Sequence, residues 1–259
     1  MGASKARTAG VTSVSQPQPD AKKNKTALFI IAAVVVATII AGVVYYRNSG
    51  ETAATSGEKI TEVNVTDLMQ RGPLPEMMIG NADAPNTIVE YASATCGHCA
   101  TFHTDVFPEL KTKYVDTGKV RFVFREFPLD NLAVAAFMLA RCAGDDRYFP
   151  MIGALFETQK TWAVPGTDAK DKLLLIAKQA GISQEQFDKC LADKELFGKI
   201  VEVRQRGHEK FGVDSTPSFF VNGKRLSGDH KLADFEAAIE GKPAPTPEPS
   251  PAESPEPSP

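Results

Sequence analysis

Hydrophobic and polar residues alternate along two stretches of the chain in the way that is typical of β-strands. Residues 87–92, "TIVEYA", are rich in β-branched and aromatic side chains. Residues 119–128, "KVRFVFREFP", place apolar side chains at every second position, at Val120, Phe122 and Phe124. Both stretches are therefore predicted to be strands.

The segment between these two strands has the spacing of a helix. Its apolar residues recur every four positions, at Phe102, Val106, Leu110 and Tyr114. Pro108 is expected to kink or interrupt this helix, because proline has no N–H to donate. A strand, a helix and a strand in this order predict a βαβ unit, whose two strands pair in parallel.

After the second strand the pattern becomes helical over a long block. Thr167 and Asp168 are residues that cap a helix start, and Ser183 with Gln186 three residues later predicts a capping box. Gly181 is expected to end a helix, since glycine adopts the left-handed conformation that a helix end favours. The block is therefore predicted to be a set of capped helices.

The strand pattern returns near the C-terminal end of this body. In "SFFVNGKRLS" the Asn222-Gly223 pair stands between two short strand-like stretches and predicts a hairpin turn. Residues 231–240 then have the pattern of a last amphipathic helix.

The order βαβ, helical block, ββα predicts an α/β protein with a thioredoxin-like fold. In this fold a central mixed sheet is flanked by helices. The core is predicted from residues 60–128 and 205–241, and an inserted all-helical subdomain from residues 129–204.

An uninterrupted apolar run, residues 27–46, lies near the N-terminus. Roughly 20 residues of helix cross a hydrocarbon core of about 30 Å. A core helix would show a polar stripe, and a signal peptide has an apolar region of only about 7–15 residues before a small-x-small cleavage site. The run is therefore predicted to be an uncleaved transmembrane signal anchor.

The charges on either side of this run predict its orientation. Lysines and arginines are concentrated in the basic arm, residues 1–26, which the positive-inside rule places in the cytoplasm. Residues 47–59 form a linker rich in small and polar residues. The chain beyond the run is then extracytoplasmic, in a compartment that permits disulfides.

Overall charge argues against one class of partner, and the composition of the C-terminal segment predicts a tail. A net charge of −3 and a pI of about 5.9 give no support for a nucleic-acid partner. Residues 242–259 contain eight prolines and no hydrophobic cluster, which predicts a disordered, acidic, proline-rich tail.

The candidate chemistry lies in "ATCGHCATFH", where Cys96 and Cys99 are separated by two residues directly after the first strand. Such a pair forms a redox-active disulfide or half of a metal site. A tetrahedral zinc site takes four ligands, and the other two cysteines stand alone in helical segments. The redox interpretation is favoured, no metal or other cofactor is predicted, and a metal-binding module remains the alternative.

The position of the pair at a helix start predicts different roles for the two thiols. The partial positive charge of the first turn should lower the pKa of Cys96, whereas Cys99 lies one turn deeper and should be less acidic. Cys96 is therefore predicted to form the mixed disulfide, and Cys99 to resolve it. His98 would donate to the Cys96 sulfur or carry positive charge near it, and Gly97 would leave both sulfurs open to a protein substrate.

Three segments resemble the DsbA-like thioredoxin-fold family of thiol:disulfide oxidoreductases. They are "VEYASATCGHC", "FREFPLDNLAVAAFMLARCA" and "FGVDSTPSFFVNGKRLSG", and the resemblance covers about residues 75–240 in the family's order. The Gly-His dipeptide of the active site differs from the Pro-His of the best-known oxidase and is similar to that of eukaryotic protein disulfide isomerase. Oxidase, isomerase and reductase directions therefore all stay open.

The resemblance implies further site residues. Thr216-Pro217 matches the loop whose cis-proline faces the cysteines, so the Thr216 backbone would pair with an extended substrate. Glu90 matches the family's buried acid and would exchange a proton with Cys99, the alternative being an edge-facing polar residue. His103 is interpreted as a helix-surface residue.

Cys142 and Cys190 match cysteines that form a structural bridge in relatives of the family. Closing a loop of this length would stabilise the fold by roughly 4 kcal/mol in the chain-entropy model. Two separate free thiols are the alternative. Trp162, the single tryptophan, is predicted to lie in the core of the helical block.

The resemblance also implies partners and a location. Expected partners are unfolded or misbridged exported proteins and a membrane redox partner, either a quinone-linked oxidase or an electron donor. The chain is expected to be a monomer in the bacterial inner membrane, with its catalytic domain on the periplasmic side. The competing functions are a reductant or isomerase fed by a membrane electron donor, a copper- or zinc-binding module, and a redox-inert adaptor whose proline-rich tail binds a partner.

Overall fold

The computed structural model describes residues 61–166, 168–226 and 230–241. The predicted basic arm, membrane anchor, linker and proline-rich tail lie outside these residues. Among the helices of the described ranges, none is both long enough and apolar enough to span a bilayer.

One mixed sheet of five strands organises the described residues, in the order β1-β3-β2-β4-β5. The strands are β1 (Met77–Ile79), β2 (Asn86–Ala92), β3 (Val120–Glu126), β4 (Ser218–Val221) and β5 (Lys224–Arg225). β2 and β3 are parallel, with Ile88 opposite Phe122, and the other pairs are antiparallel. The predicted βαβ unit and mixed sheet are confirmed, whereas edge strand β1 was not predicted because three residues carry too little alternation.

The helices surround this sheet. They are α1 (Val65–Leu68), α2 (Gly97–Thr101), α3 (Phe107–Leu110), α4 (Asn131–Cys142), α5 (Asp145–Glu157), α6 (Gln159–Trp162), α7 (Ala169–Gln179), α8 (Gln184–Leu191), α9 (Lys194–Phe211) and α10 (Leu232–Ile239), with π-helical segments π1 (Phe102–Val106) and π2 (Lys111–Val115). Helices α4 to α9 form the predicted helical insertion, but α9 continues through the predicted boundary between residues 204 and 205.

The connection from β2 to β3 alternates between α- and π-helical turns. The Phe107 N–H donates to the Phe102 carbonyl, five residues back, at the end of π1. Pro108 follows as the second residue of α3, and its missing N–H interrupts the hydrogen bonding of this continuous helical segment. The predicted interruption is therefore present as a local widening of the helix, a feature that often accompanies functional sites.

Helix caps and the hairpin turn agree with the sequence pattern. Asp168 caps α7, and Ser183 and Gln186 form the capping box of α8. Both turn residues of the β4–β5 hairpin are left-handed, with φ of 50° at Asn222 and 85° at Gly223. The hairpin needs glycine at the second position, because an added Cβ would collide with a backbone carbonyl of the N-terminal segment.

Alternation along β2 divides its side chains between two hydrophobic clusters. Ile88 and Ala92 face the cluster that includes the active-site helix and the helical insertion, whereas Val89 and Tyr91 face the smaller cluster on the other side of the sheet. Glu90 lies between Ile88 and Ala92, so its carboxyl is directed to the same face as these residues. This places an acid in the core beneath the cysteine pair.

The helical insertion is held together by a covalent bond and by a buried indole. A disulfide joins Cys142 at the end of α4 to Cys190 in α8, so the predicted bridge is present. Trp162 is fully buried, as predicted, and its indole N–H donates to the Leu155 carbonyl at 2.9 Å.

Two glycines of α9 provide a matched test of packing against the sheet. An added Cβ at Gly207 would lie 2.8 Å from Tyr91 Cε1, whereas one at Gly198 would meet nothing within 4 Å. We expect Gly207→Ala to destabilise the protein by about 1–3 kcal/mol through overpacking. Gly198→Ala should instead stabilise it by about 0.8 kcal/mol through helix propensity. Urea unfolding checks both, and equal effects would contradict this packing.

Candidate active site

The cysteine pair lies at the N-terminus of α2. Cys96 is the N-cap residue, and its Sγ accepts a hydrogen bond from the Cys99 backbone N–H at 3.4 Å. Cys96 Sγ also lies 3.3 Å from the Thr216 carbonyl oxygen, to which the thiol donates in its protonated form. Both cysteines are free thiols, with Cys96 8% and Cys99 0% exposed. Cys96 is thus the sulfur that solvent and substrates reach.

The environment drives the acidities of the two thiols apart. A hydrogen bond from the Cys99 side chain lowers the pKa of Cys96 to about 5, with further help from the backbone N–H groups of Cys99 and His98, and burial opposes this shift. Burial raises the pKa of Cys99 well above its ordinary value, and the neighbouring Cys96 and Glu90 add to the rise. Cys96 is therefore a thiolate at neutral pH, whereas Cys99 keeps its proton.

His98 and Gly97 are both exposed beside these sulfurs. The hydrogen bond that His98 gives the Cys96 sulfur comes from its backbone N–H, whereas its side chain lines the groove described below. An added Cβ at Gly97 would meet nothing within 4 Å, so the approach to the sulfurs is open.

A loop faces the cysteines from the end of the helical insertion. The Thr216-Pro217 peptide bond is cis, as the resemblance implies. A groove of about 480 Å³ runs between this loop and the helix, with Phe102 and Val106 on its helix wall and His230 at its edge. The groove combines an apolar wall with backbone carbonyls close to Cys96.

Glu90 is fully buried, so the alternative of an edge-facing residue is excluded. Burial raises the pKa of its carboxyl, and the His103 ring beside it opposes this effect. Glu90 Oε2 and His103 Nε2 are 2.8 Å apart, and the carboxyl and its neighbouring thiols influence each other electrostatically.

The interpretation of His103 as a helix-surface residue is wrong. Its side chain is 4% exposed, and its ring stacks on Phe156 with centroids 4.3 Å apart. His103 lies four residues after Cys99 and therefore on the same face of the helix, which is the buried face. The four-residue spacing from Cys99 is the sequence signal that His103 is buried.

Sequence reasoning also missed two residues that hold the site in place. The Gln159 side-chain amide of α6 is buried and donates to the carbonyls of Ala94 and Cys96 at 2.8 and 2.9 Å. Arg225 of β5 donates to the Gly212 carbonyl at 2.8 Å and to Asp214 at 2.7 Å, next to the cis-prolyl loop. The Gln159 contacts join residues far apart in the chain, and the Arg225 contacts form only when the hairpin folds back, so no local sequence pattern predicts them.

The described residues contain no group of three or more histidine, cysteine or acidic side chains arranged to hold a metal ion. They do bring together an N-capping cysteine, a buried partner thiol, a cis-prolyl loop and a buried acid. This combination defines a thioredoxin-fold site of the class that carries out thiol–disulfide exchange.

Comparison with known proteins agrees with this class. The family model described as "Thioredoxin" matches residues 74–241, and the chain belongs to this family. Alpha-DsbA1 of Wolbachia pipientis, a solved structure, is 34% identical with a TM-score of 0.62, and the match covers 68% of this chain and 94% of that one. Within the thioredoxin family the chain is thus DsbA-like.

Curated relatives carry related names. A Rickettsia bellii protein, provisionally named a protein-disulfide oxidoreductase, is 35% identical over 166 residues, which is 64% of this chain and 63% of that protein. "Disulfide bond formation protein D" of Bacillus subtilis is 28% identical over 171 residues, 63% of this chain and 75% of that protein. The chain spans about three fifths of the length of the Rickettsia bellii and Rickettsia conorii relatives, 63% and 59%.

Proposed function

We propose that this protein is a membrane-tethered, extracytoplasmic thiol–disulfide oxidoreductase that introduces or shuffles disulfides in exported proteins. The observation that carries the proposal is the divergence of the two thiols, since the pKa of Cys96 is lowered to about 5 and that of Cys99 is raised. A low-pKa sulfur is a ready leaving group and an ionised nucleophile. The names of the DsbA-like relatives support the same activity.

The exchange reaction follows from this division. In the oxidising direction a substrate thiolate attacks Cys96 of the Cys96–Cys99 disulfide, and Cys99 leaves and takes up a proton. A second substrate thiolate then attacks the substrate sulfur of the mixed disulfide, so the substrate gains a disulfide and Cys96 leaves as a thiolate. In the reverse direction Cys96 attacks a substrate disulfide and forms a mixed disulfide. Cys99 then attacks the Cys96 sulfur and releases the reduced substrate. Isomerisation combines both directions at Cys96.

The groove beside Cys96 is the proposed docking place of the substrate chain. Backbone groups of Thr216 would pair with an extended segment, and the apolar wall formed by Phe102 and Val106 would contact its side chains. Unfolded or misbridged proteins fit this mode, because they expose both backbone and apolar side chains.

The remaining parts of the proposal concern location and partners. Residues 27–46 would anchor the chain in the bacterial inner membrane, with the catalytic domain on the periplasmic side and the proline-rich tail as a spacer. A membrane redox partner, quinone-linked or electron-donating, would restore the active state of the cysteine pair. The protein would act as a monomer.

The reduction potential of the Cys96–Cys99 pair tests the function and its direction. The full-length protein in detergent is equilibrated with glutathione buffers, and the oxidised fraction is read by thiol labelling. We expect a value between about −120 and −180 mV, the range of disulfide donors and isomerases. A value near −270 mV would make the protein a reductant, and failure to form a Cys96–Cys99 disulfide would overturn the proposed function.

A further inference from the structure

A buried acid–imidazole pair lies behind the two cysteines. His103 Nε2 and Glu90 Oε2 are 2.8 Å apart, and the two side chains are 4% and 0% exposed. The second carboxyl oxygen, Glu90 Oε1, is also buried and has no hydrogen-bond partner. The orientation of this carboxyl therefore depends on its bond to His103.

Aromatic rings fix the imidazole itself. Phe156 stacks on His103 with centroids 4.3 Å apart, and Phe107 and Phe124 pack around it at 5.0 and 5.7 Å. These rings constrain the imidazole by packing, so the hydrogen bond at its edge points in one direction. A ring held in this way can hold a carboxyl in turn.

The chemistry next to this pair requires a proton acceptor. Cys99 keeps its proton at neutral pH because burial raises the pKa of its thiol, yet only a thiolate attacks a disulfide. The charge of Glu90 acts on Cys99 and contributes to the same rise, so the carboxyl is within electrostatic reach of the thiol. A carboxylate in this position is suited to act as the general base.

On the basis of the proposed function, we infer that His103 is a positioning residue that directs Glu90 Oε1 toward the Cys99 thiol. When Cys99 resolves a mixed disulfide, its proton passes to Glu90 Oε1 and its sulfur bonds to the Cys96 sulfur. The bond between Cys96 and the substrate breaks, and the substrate sulfur leaves with the electron pair. The His103 N–H donates to Oε2 before and after the transfer, so the carboxyl does not turn.

Titratable groups from several elements face the Glu90 carboxyl. In the described part of the chain they are Cys96 and Cys99 at the start of α2, His103 of π1 and Tyr148 of α5. Tyr148 stays neutral because burial raises its pKa, and it donates to Glu126, which pairs with Arg141. Tyr148 therefore takes no part in the proton transfer that we assign to Cys99 and Glu90.

Stopped-flow reaction of the reduced full-length protein, in detergent, with dithiobis-nitrobenzoate separates the two steps. Attack by Cys96 releases a first coloured thiolate at a rate that depends on reagent concentration. Attack by Cys99 on the resulting mixed disulfide releases a second one at a rate that does not. The second phase therefore reports proton removal from Cys99.

We expect His103→Leu to slow the second phase about tenfold near neutral pH. This is less than the ~100-fold that a catalytic group misplaced by about 1 Å can cost, because Glu90 itself is still present. The first phase should change by less than about twofold, because Cys96 is already ionised. The deficit should shrink toward roughly pH 10, where hydroxide removes the Cys99 proton without Glu90. His103→Gln, which keeps an N–H at a similar reach, should restore most of the second-phase rate.

Phe187→Leu is the matched control, because it opens the buried core of the helical insertion without touching Glu90. A His103→Leu second phase equal to that of the unmodified protein would overturn the inference. So would a deficit that is constant with pH and shared by Phe187→Leu, since this would mark a purely structural role. Absence of any second release from the unmodified protein would instead contradict the proposed function.

Discussion

A Cys99→Ser variant of the full-length protein is expected to accumulate as mixed disulfides with exported proteins through Cys96. Cys96 still lies beside the groove in this variant, so it still attacks substrate disulfides. The Cys99 thiol that would release the substrate from the mixed disulfide is gone. Intramolecular attack normally limits the lifetime of the mixed disulfide, and its loss should extend that lifetime by about a thousandfold or more. Non-reducing gels and mass spectrometry of the trapped species measure the effect.

Cys96→Ser is the matched control for this experiment. Cys99 is fully buried and its pKa is raised, so it should capture no substrate in the absence of Cys96. Equal trapping by the two variants would show that the roles of the two sulfurs are not divided as the structure indicates.

The second large effect concerns pH. At neutral pH the reduced protein should melt at a temperature higher than the oxidised protein by about 5 °C or more, and this difference should shrink as the pH falls through about 5. The pKa of Cys96 is lowered from its ordinary value of 9.0 to about 5 in the folded protein. The ionised thiol therefore stabilises the folded state fully above pH 9.0, and this contribution is lost progressively as the pH falls through about 5.

The oxidised protein has no Cys96 thiol to ionise, which makes it the reference for this measurement. Glu90 titrates in both redox forms, and only the contribution of the Cys96 charge, the smallest cause of its raised pKa, differs between them. Calorimetry of the two forms across this pH range checks the prediction. A melting-temperature difference that does not depend on pH would contradict the lowered pKa of Cys96.

The order of elements and the reactive pair could be predicted because their signals are local. Period-two alternation identified β2 and β3, the Asn222-Gly223 turn identified the hairpin, and the position of Cys96 at a helix start predicted its acidity. The Cys142–Cys190 pairing came from the resemblance and not from spacing, since each cysteine stands alone in its helix.

The features that escaped prediction are contacts between separate segments of the chain and local distortions of a helix. His103 lies four residues after Cys99, but its burial depends on Phe156, which comes from a distant part of the chain and gives no local signal. The π-helical turns have no local signature apart from Pro108. Arg225 contacts the cis-prolyl loop only because the hairpin folds back on it.

The hydrogen bonds of Gln159 determine how much of this protein must be transferred to reproduce its active site in another scaffold. Its amide supplies the donor for two carbonyls of the active-site loop, and it comes from the helical insertion. A minimal scaffold made by excising residues 129–204 would remove this donor and the helices that cover the loop, so the Cys96 carbonyl would keep only its bond from the Ala100 N–H and the Ala94 carbonyl would lose its Gln159 partner. The transplantable unit is therefore the dithiol motif together with the inserted helices, and grafting "CGHC" onto a plain thioredoxin scaffold would not reproduce it.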